Sequence, residues 1–580
     1  MSTTSKTSKI EVNYRKIRPL DLDELAKQYN ATEDDTINQY NPFLVSEIQS
    51  FSPIYTDFFV LNESNYNRVG LNHRYYLDGS SICDGESKDS NPNISQYHVK
   101  CSPLLDPIHY LVGKYKNANN LRLLPTLTNQ SECFAKIINK QNASYVDGFF
   151  SYLSSQLKHK HNMLNAIDFY GSYLAVQKVF KATITDDIEY LNQSSYFLEN
   201  IGKGVTICCG KTFDDFTGIG SRANKRRLVL EEELDSSELG IDVFGSGLED
   251  ISEVLVKEPE PIVCEYAKSD KDDTSSSSSS SSEDDESGSD DNGEEDSEED
   301  SDENDNSEEE EGSEDEDSED EQDAYAYIEN FPTNMIFLEK CDGTLDSLLM
   351  NQEIDEMMGA AYLMQIVMSL LSFQKAFHLT HNDLHTNNIM YINTEVEFLY
   401  YKYNNQFYRV PTYGKLFKII DFGRAIYRFK DRTYCSDSFA PKGDAYSQYN
   451  TEPYFNEKKP RVEANLSFDL CRLGTSIYDF IIQDEQDPRD AFQETIYRWC
   501  LDDNGKNVMY RSDGEERYPG FKLYKMIARN VHAHTPHEQL KYPFFGQFLM
   551  GPTDAAKLDA SEVRQFGLNI DLVEREYSVV

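Results

Sequence analysis

Basic residues are missing where this chain is most highly charged. Between Asp272 and Asp323 there are 29 Asp or Glu and no Lys, Arg or His, and eight consecutive serines, Ser275 to Ser282, interrupt the run. Such a stretch has almost nothing apolar to bury and repels itself, so disorder is expected there. Taking those 29 charges from the formal net charge of −47 leaves −18 for the rest. No basic face able to follow a phosphate backbone is visible, which argues against direct nucleic-acid binding. The ten cysteines form no Cys-x-x-Cys pair, which disfavours a zinc ribbon or a thioredoxin-like site. The polar start, Met1 to Lys6, lacks an apolar signal core, and no stretch reads as a membrane span. A reducing, intracellular compartment with no membrane partner is the resulting expectation.

What is present is aromatic and long enough to form a core: 580 residues with 38 Tyr and 32 Phe. Leu363, Ile366, Val367, Leu370, Phe373 and Phe377 recur at spacings of mostly three and four, which marks a helix with a buried stripe. A loop follows at 381–390, reading His-Asn-Asp-Leu-His-Thr-Asn-Asn-Ile-Met. Short apolar runs at 389–392 and 416–420 read as strands, and the second leads into Asp421-Phe422-Gly423. These groups suit phosphoryl transfer. Asp383 can orient and deprotonate a hydroxyl, Asn388 can reach a metal ion from the same loop, and Asp421 can hold that metal against a nucleotide's phosphates.

In order and spacing, these motifs resemble the protein kinase superfamily pattern H-R-D-L-x-x-x-N followed by D-F-G. Together with Glu339 to Leu349, Asp421 to Ala425 and a tyrosine-rich hairpin, they resemble the serine/threonine kinases of large nucleocytoplasmic DNA viruses (mimivirus-like). The resemblance implies an α+β fold of two lobes, the smaller rich in strands and the larger mostly helical. It also implies ATP and Mg2+ as cofactors, Ser/Thr-bearing protein substrates, and a cytoplasmic, infected-cell or virion setting. Residues 1–60 would be an N-terminal extension and 61–338 the small lobe, with about 226–325 disordered. Residues 339–580 would be the large lobe. Insertions of this kind cost little where their ends lie close together.

In that frame Asn334 to Leu338 is the last small-lobe strand, and backbone at Glu339 to Cys341 would meet the adenine edge. Thr344 or Asp342 caps the next helix. Asp469, five residues before Gly474, would brace the catalytic loop. Three lysines compete for the nucleotide. Lys100 follows Gly79 and Gly85 at suitable intervals, Lys136 lies in a Phe-Ala-Lys-Ile run, and Lys203 sits in a Gly-Lys-Gly turn; Lys100 fits the order best. Its partner should come from a helix over Ser144–Leu157, yet no Glu occurs from Cys133 to Asp187, which leaves Asp147.

Other departures carry information. Asn382 stands in the place of the family's Arg, so activity should not need a phosphate on the segment after Asp421. His385 would touch the transferred phosphoryl group or simply pack. Ala440 to Lys442 or Thr451 to Pro453 would stand in for the segment-ending A-P-E. The hairpin around Tyr400, Tyr401, Tyr403, Tyr408 and Tyr413 is expected to face solvent, stiffened by aromatic pairs. Two other functions stay open: a weakly catalytic scaffold whose acidic segment binds basic proteins, and a small-molecule kinase.

Overall fold

Two long antiparallel strands organise the first half of the chain. Its principal elements, in chain order, are β1 (Val45–Gln49), β2 (Tyr75–Asp78), β3 (Ser81–Asp84), β4 (Tyr97–Pro103), α1 (Ala143–His161), β5 (Phe169–Thr183), β6 (Val205–Cys208) and β7 (Tyr325–Glu339). The main sheet runs β1-β5-β7-β4, with β6 paired to β7 beyond the end of β4. Register is continuous from Thr183 opposite Tyr325 to Gly171 opposite Phe337, and a bulge then sets Phe169 opposite Leu338. Apolar side chains of β5 and β7 are buried along most of their length, as expected of central strands covered on both faces. The computed structural model describes residues 9–32, 40–85, 96–208, 324–352, 354–482, 488–512, 514–558 and 560–578. The acidic stretch 272–323 lies outside them, as does the whole of a second unit, Arg226–Asp320.

Helix α1 lies on this sheet. Asn142 caps it by accepting from the Ser144 N–H, and Asn162, at φ +57°, closes it in the left-handed conformation that Asn tolerates. A Cβ at Gly148 would lie 3.3 Å from Asn334 Nδ2, so the glycine lets the helix approach β7 closely.

The second half contains α2 (Leu345–Asn351), α3 (Glu356–Phe377), β8 (Ile389–Asn393), β9 (Phe398–Tyr403), β10 (Gln406–Pro411), β11 (Lys415–Ile419), β12 (Ile426–Phe429), β13 (Arg432–Cys435), α4 (Phe468–Ile481), α5 (Ala491–Trp499), α6 (Lys522–Asn530) and β14 (Gly567–Asn569). The fold is thus α+β. Thr344 caps α2 in a capping box with Ser347, while Asp342 instead accepts from the Asn393 N–H. Every member of the expected α3 stripe is buried. Each large apolar side chain so buried contributes about 1.5–3 kcal/mol. α3 is in fact covered on nearly all sides. By length and composition it is apolar enough to cross a membrane, contrary to the expectation that no stretch is, but 83% of that window is packed inside protein.

Several expectations need correction. Residues 1–60 are not a mere extension: β1 pairs with β5, and Ile10, Leu25, Phe43, Phe51 and Tyr55 are buried. The expected boundary at 338 falls within β7. Ala324 and Tyr325, assigned to the disordered insertion, belong to the folded chain. Ala324 is buried and its N–H donates to Thr185, and Tyr325 opens β7. The tyrosine-rich hairpin, β9–β10, does not face solvent. β14 pairs with β9 in parallel, and Tyr400, Tyr401 and Tyr408 are buried, Tyr401 donating to Asn165 Oδ1 at 2.7 Å. Only Tyr413 is exposed among the tyrosines named for it. The ends of the chain also meet: Ile10 N–H donates to Glu576 Oε1 at 2.9 Å, and Glu576 N–H to the Ala376 carbonyl at the end of α3.

Candidate active site

The loop 381–388 is held from beneath by one carboxylate. Asp469, near the start of α4, accepts the His381 and Asn382 backbone N–H groups, each at 2.9 Å. Complete burial raises its pKa, opposed by His381 and by these two donors. This is the bracing role expected of it. His381 Nε2 meets the Ile420 carbonyl at 2.8 Å, and Ile420 N–H donates to the Asn388 carbonyl at 3.0 Å. Both ends of the loop are therefore tied to Ile420, the residue between β11 and Asp421.

Asn382 shows why an Asn suits its position. It adopts φ +67°, a region Asn enters more readily than most residues. Its buried amide donates to the Thr380 and Arg424 carbonyls and accepts from Tyr449 at 2.6 Å. No cation faces the segment after Asp421 from this position.

Lys100 lies on β4 opposite Ile336. Its ammonium is 2.6 Å from Asp147 Oδ2 and 2.8 Å from Asp421 Oδ1. Asp147, on α1, is thus the lysine's acidic partner, and its Oδ1 also accepts the Phe422 N–H at 2.9 Å. Burial opposes charge on all three groups. For Asp421, Lys100 and the Gly423 N–H outweigh burial and hold the carboxyl at about 2; for Lys100, the two carboxylates outweigh it and raise the ammonium's pKa. For Asp147, burial prevails and its pKa is raised. Asp421 also adopts φ +62°, a left-handed conformation costing a non-glycine residue about 1–2 kcal/mol. Phe422 anchors that turn by packing on Phe150 and His381, with ring centroids 4.4 and 5.3 Å away.

The other lysines are placed elsewhere. Lys136, on a one-turn helix, pairs with Asp437 at 2.7 Å, and Lys203 sits on an exposed turn. The Glu339 side chain lies outside the Lys100–Asp147–Asp421 set. Its carboxylate joins Lys158 at 2.9 Å and Lys418 at 3.0 Å, and its N–H donates to the Asp168 carbonyl. Cys341, by contrast, has backbone N–H and C=O groups with no hydrogen-bond partner among the described residues. The same holds of Lys340, so within the expected adenine-edge stretch it is Glu339 whose N–H is committed.

Asp383 and Asn388 face the same space. Asn388 Nδ2 donates to the Asp383 carbonyl at 2.8 Å and approaches His385 Nε2 at 3.0 Å. His385 therefore accepts at Nε2, and burial lowers its pKa against the pull of Asp383. Of the two roles expected of His385, packing within the loop is what this contact with Asn388 shows. This geometry turns Asn388 Oδ1 outward. That atom and Asp421 Oδ2 have no protein partner among the described residues. Two free, hard oxygen donors, one of them charged, suit a magnesium ion that completes its shell with water and phosphate. No cluster of three or more His, Cys, Asp or Glu able to hold a metal occurs among the described residues.

Two contacts were invisible in the sequence. Tyr524, on α6, donates its phenol to Asp383 Oδ1 at 2.8 Å while accepting from Arg472 Nε at 2.9 Å. Arg424 lies 3.8 Å from Asp383 Oδ2. Burial works against ionisation of Asp383, but Arg424, His385, Arg472 and Tyr524 together lower its pKa. Tyr524 lies 141 positions from Asp383, and no local pattern announces it. Neither a family model nor a curated protein matches the chain.

Proposed function

We propose that this protein is an ATP-dependent phosphotransferase of the protein-kinase type, acting on serine and threonine hydroxyls of proteins inside the cell. The observation that carries the reading is Lys100 bridging Asp147 and Asp421 beside a loop that presents Asp383 and Asn388. On this reading the sheet-rich and helical halves are the two lobes, and nucleotide lies between β4 and the 381–388 loop.

Bound MgATP supplies the phosphoryl group and neutralises charge on its oxygens. Lys100 would steady the phosphates, Asn388 and Asp421 would hold the metal, and the Cys341 backbone would meet the adenine edge. Asp383 takes the proton of the incoming hydroxyl through Oδ2, since Oδ1 already accepts from Tyr524. As that proton leaves, the hydroxyl oxygen bonds to phosphorus and the bond to ADP breaks. Catalysis is then chiefly positioning and charge compensation.

The test is transfer from radiolabelled ATP to casein and to a generic basic protein. Asp383→Asn is expected to lower the rate by about 10³-fold or more while retaining nucleotide binding, and Asp421→Ala to abolish transfer. Undiminished activity in Asp383→Asn would remove Asp383 from the role given to it. The scaffold reading draws on one observation, the engagement of Asp383 by Tyr524. It predicts no transfer to any substrate and salt-sensitive capture of basic proteins that disappears when 272–323 is deleted.

A further inference from the structure

Asn382 leaves the segment after Asp421 without a cation from the catalytic loop, yet that segment is firmly tethered at another point. Asp437, just past β13, is buried and engaged through three groups. Its Oδ2 pairs with Lys136 at 2.7 Å, its Oδ1 accepts the Ala143 N–H at 3.0 Å, and its own N–H donates to the Gln141 carbonyl at 2.7 Å. The Gln141 side chain completes the joint, donating to the Thr433 carbonyl and accepting from the Cys435 N–H.

Ala143 is the first residue of α1. Its N–H is one of the donors a helix start leaves unsatisfied, and a carboxylate there also complements the positive end of the helix. The same helix carries Asp147, one turn on, which grips both Lys100 and the Phe422 N–H. A continuous covalent and hydrogen-bonded path thus runs from Asp437 through the first turn of α1 to the lysine and the Asp421 turn.

We propose that Asp437 is a positioning residue for the phosphotransfer site: its side chain, clamped by Lys136, docks the segment onto the start of α1 and so sets Asp147 against Lys100. The inference rests on the function proposed above. It gives the molecular reason that the segment needs no added phosphate to be held.

The test separates charge from capping in the full-length chain. Asp437→Asn keeps an acceptor for Ala143 but loses the ion pair, Lys136→Met loses the ion pair alone, and Asp437→Ala loses both. Expected are falls in kcat/KM for ATP of about tenfold for the first two and about 100-fold for Asp437→Ala, borne mainly by KM for ATP. The Asp437→Asn/Lys136→Met pair should be no worse than either single change, because both delete the same interaction. Asp437→Glu should recover part of the loss, and phosphatase treatment should leave the wild type unchanged. Wild-type ATP kinetics in Asp437→Ala, or a loss confined to melting temperature with KM unaltered, would overturn the proposal. If the wild type transfers no phosphate at all, the functional reading fails, and amide exchange over 143–147 then decides the clamp. Faster exchange there in Asp437→Ala supports it, and unchanged exchange overturns it.

Discussion

Two clusters of lysines and carboxylates flank helix α1, and they differ in what they leave unfinished. Near its start, Lys100, Asp147 and Asp421 meet at 2.6 and 2.8 Å, while Asp421 Oδ2 and the neighbouring Asn388 Oδ1 remain without protein partners among the described residues. Near its end, Lys158 bridges Asp168 at 2.6 Å and Glu339 at 2.9 Å. Lys418 joins Glu339 and donates to the Leu164 and Ala166 carbonyls, and His159 closes on Asp168. Burial disfavours charge in both places. In the second cluster two lysines answer two carboxylates. That network knits α1, the residue before β5, the end of β7 and β11 together, whereas the first sets one lysine against two carboxylates and so leaves negative charge that a cation can answer. The same residue types thus serve cohesion in one place and, on the proposed function, chemistry in the other.

The contrast can be broken by mutation. The largest effect should come from Lys100→Met, which ought to lower phosphotransfer by about 10²–10³-fold with a smaller loss of stability than Lys418→Met, because the Lys100 side chain is partly open to water. Lys418→Met should do the reverse. Its fully buried side chain leaves Glu339 with one fewer partner, and about 3–5 kcal/mol of stability should be lost in denaturant unfolding. Equal loss of stability in both variants would erase the distinction. Tyr524→Phe should have a smaller effect, lowering kcat about three- to tenfold with KM for ATP unchanged, because Asp383 loses one orienting donor. A rise in kcat would instead show that the phenol blocks the hydroxyl's place.

A further effect concerns pH. Burial lowers the pKa of His73 to about 3, against the opposing pull of the Tyr75 carbonyl. The unfolded chain takes up a proton below about 6.5 that the folded one refuses, so this group's contribution is intact above that pH. It declines at about 1.4 kcal/mol per unit as pH falls from 6.5 toward 3. His73→Phe should flatten the fall of melting temperature between pH 6.5 and 4; an unaltered slope would show that other groups control it.

How much of this was legible in the sequence follows from how far apart the cooperating groups lie. Asp383, Asn388 and Asp421 stand in two short windows whose order already carries their chemistry, and the six-residue stripe marked α3. Asp147 was legible by elimination, being the one carboxylate on α1. The burial of the β9–β10 hairpin was not, because its cover arrives from β14 at 567–569, and alternation within a hairpin does not say which face a distant strand will shield. The Lys418 network escaped for the same reason: its partners come from three other elements. Glu339 was read for its backbone, while its carboxylate proves to be committed to that network.

Cys208, the last residue of β6, is the register partner of Tyr325, the first of β7. The chain therefore leaves β6 and rejoins β7 at one rung of the ladder, so an Asn-Gly turn spliced between the two should satisfy the hairpin geometry directly, at the loss of Ala324 and its bond to Thr185. An engineer could excise the detour, or open the chain there and supply the halves as separate polypeptides, and still expect the remaining scaffold to assemble.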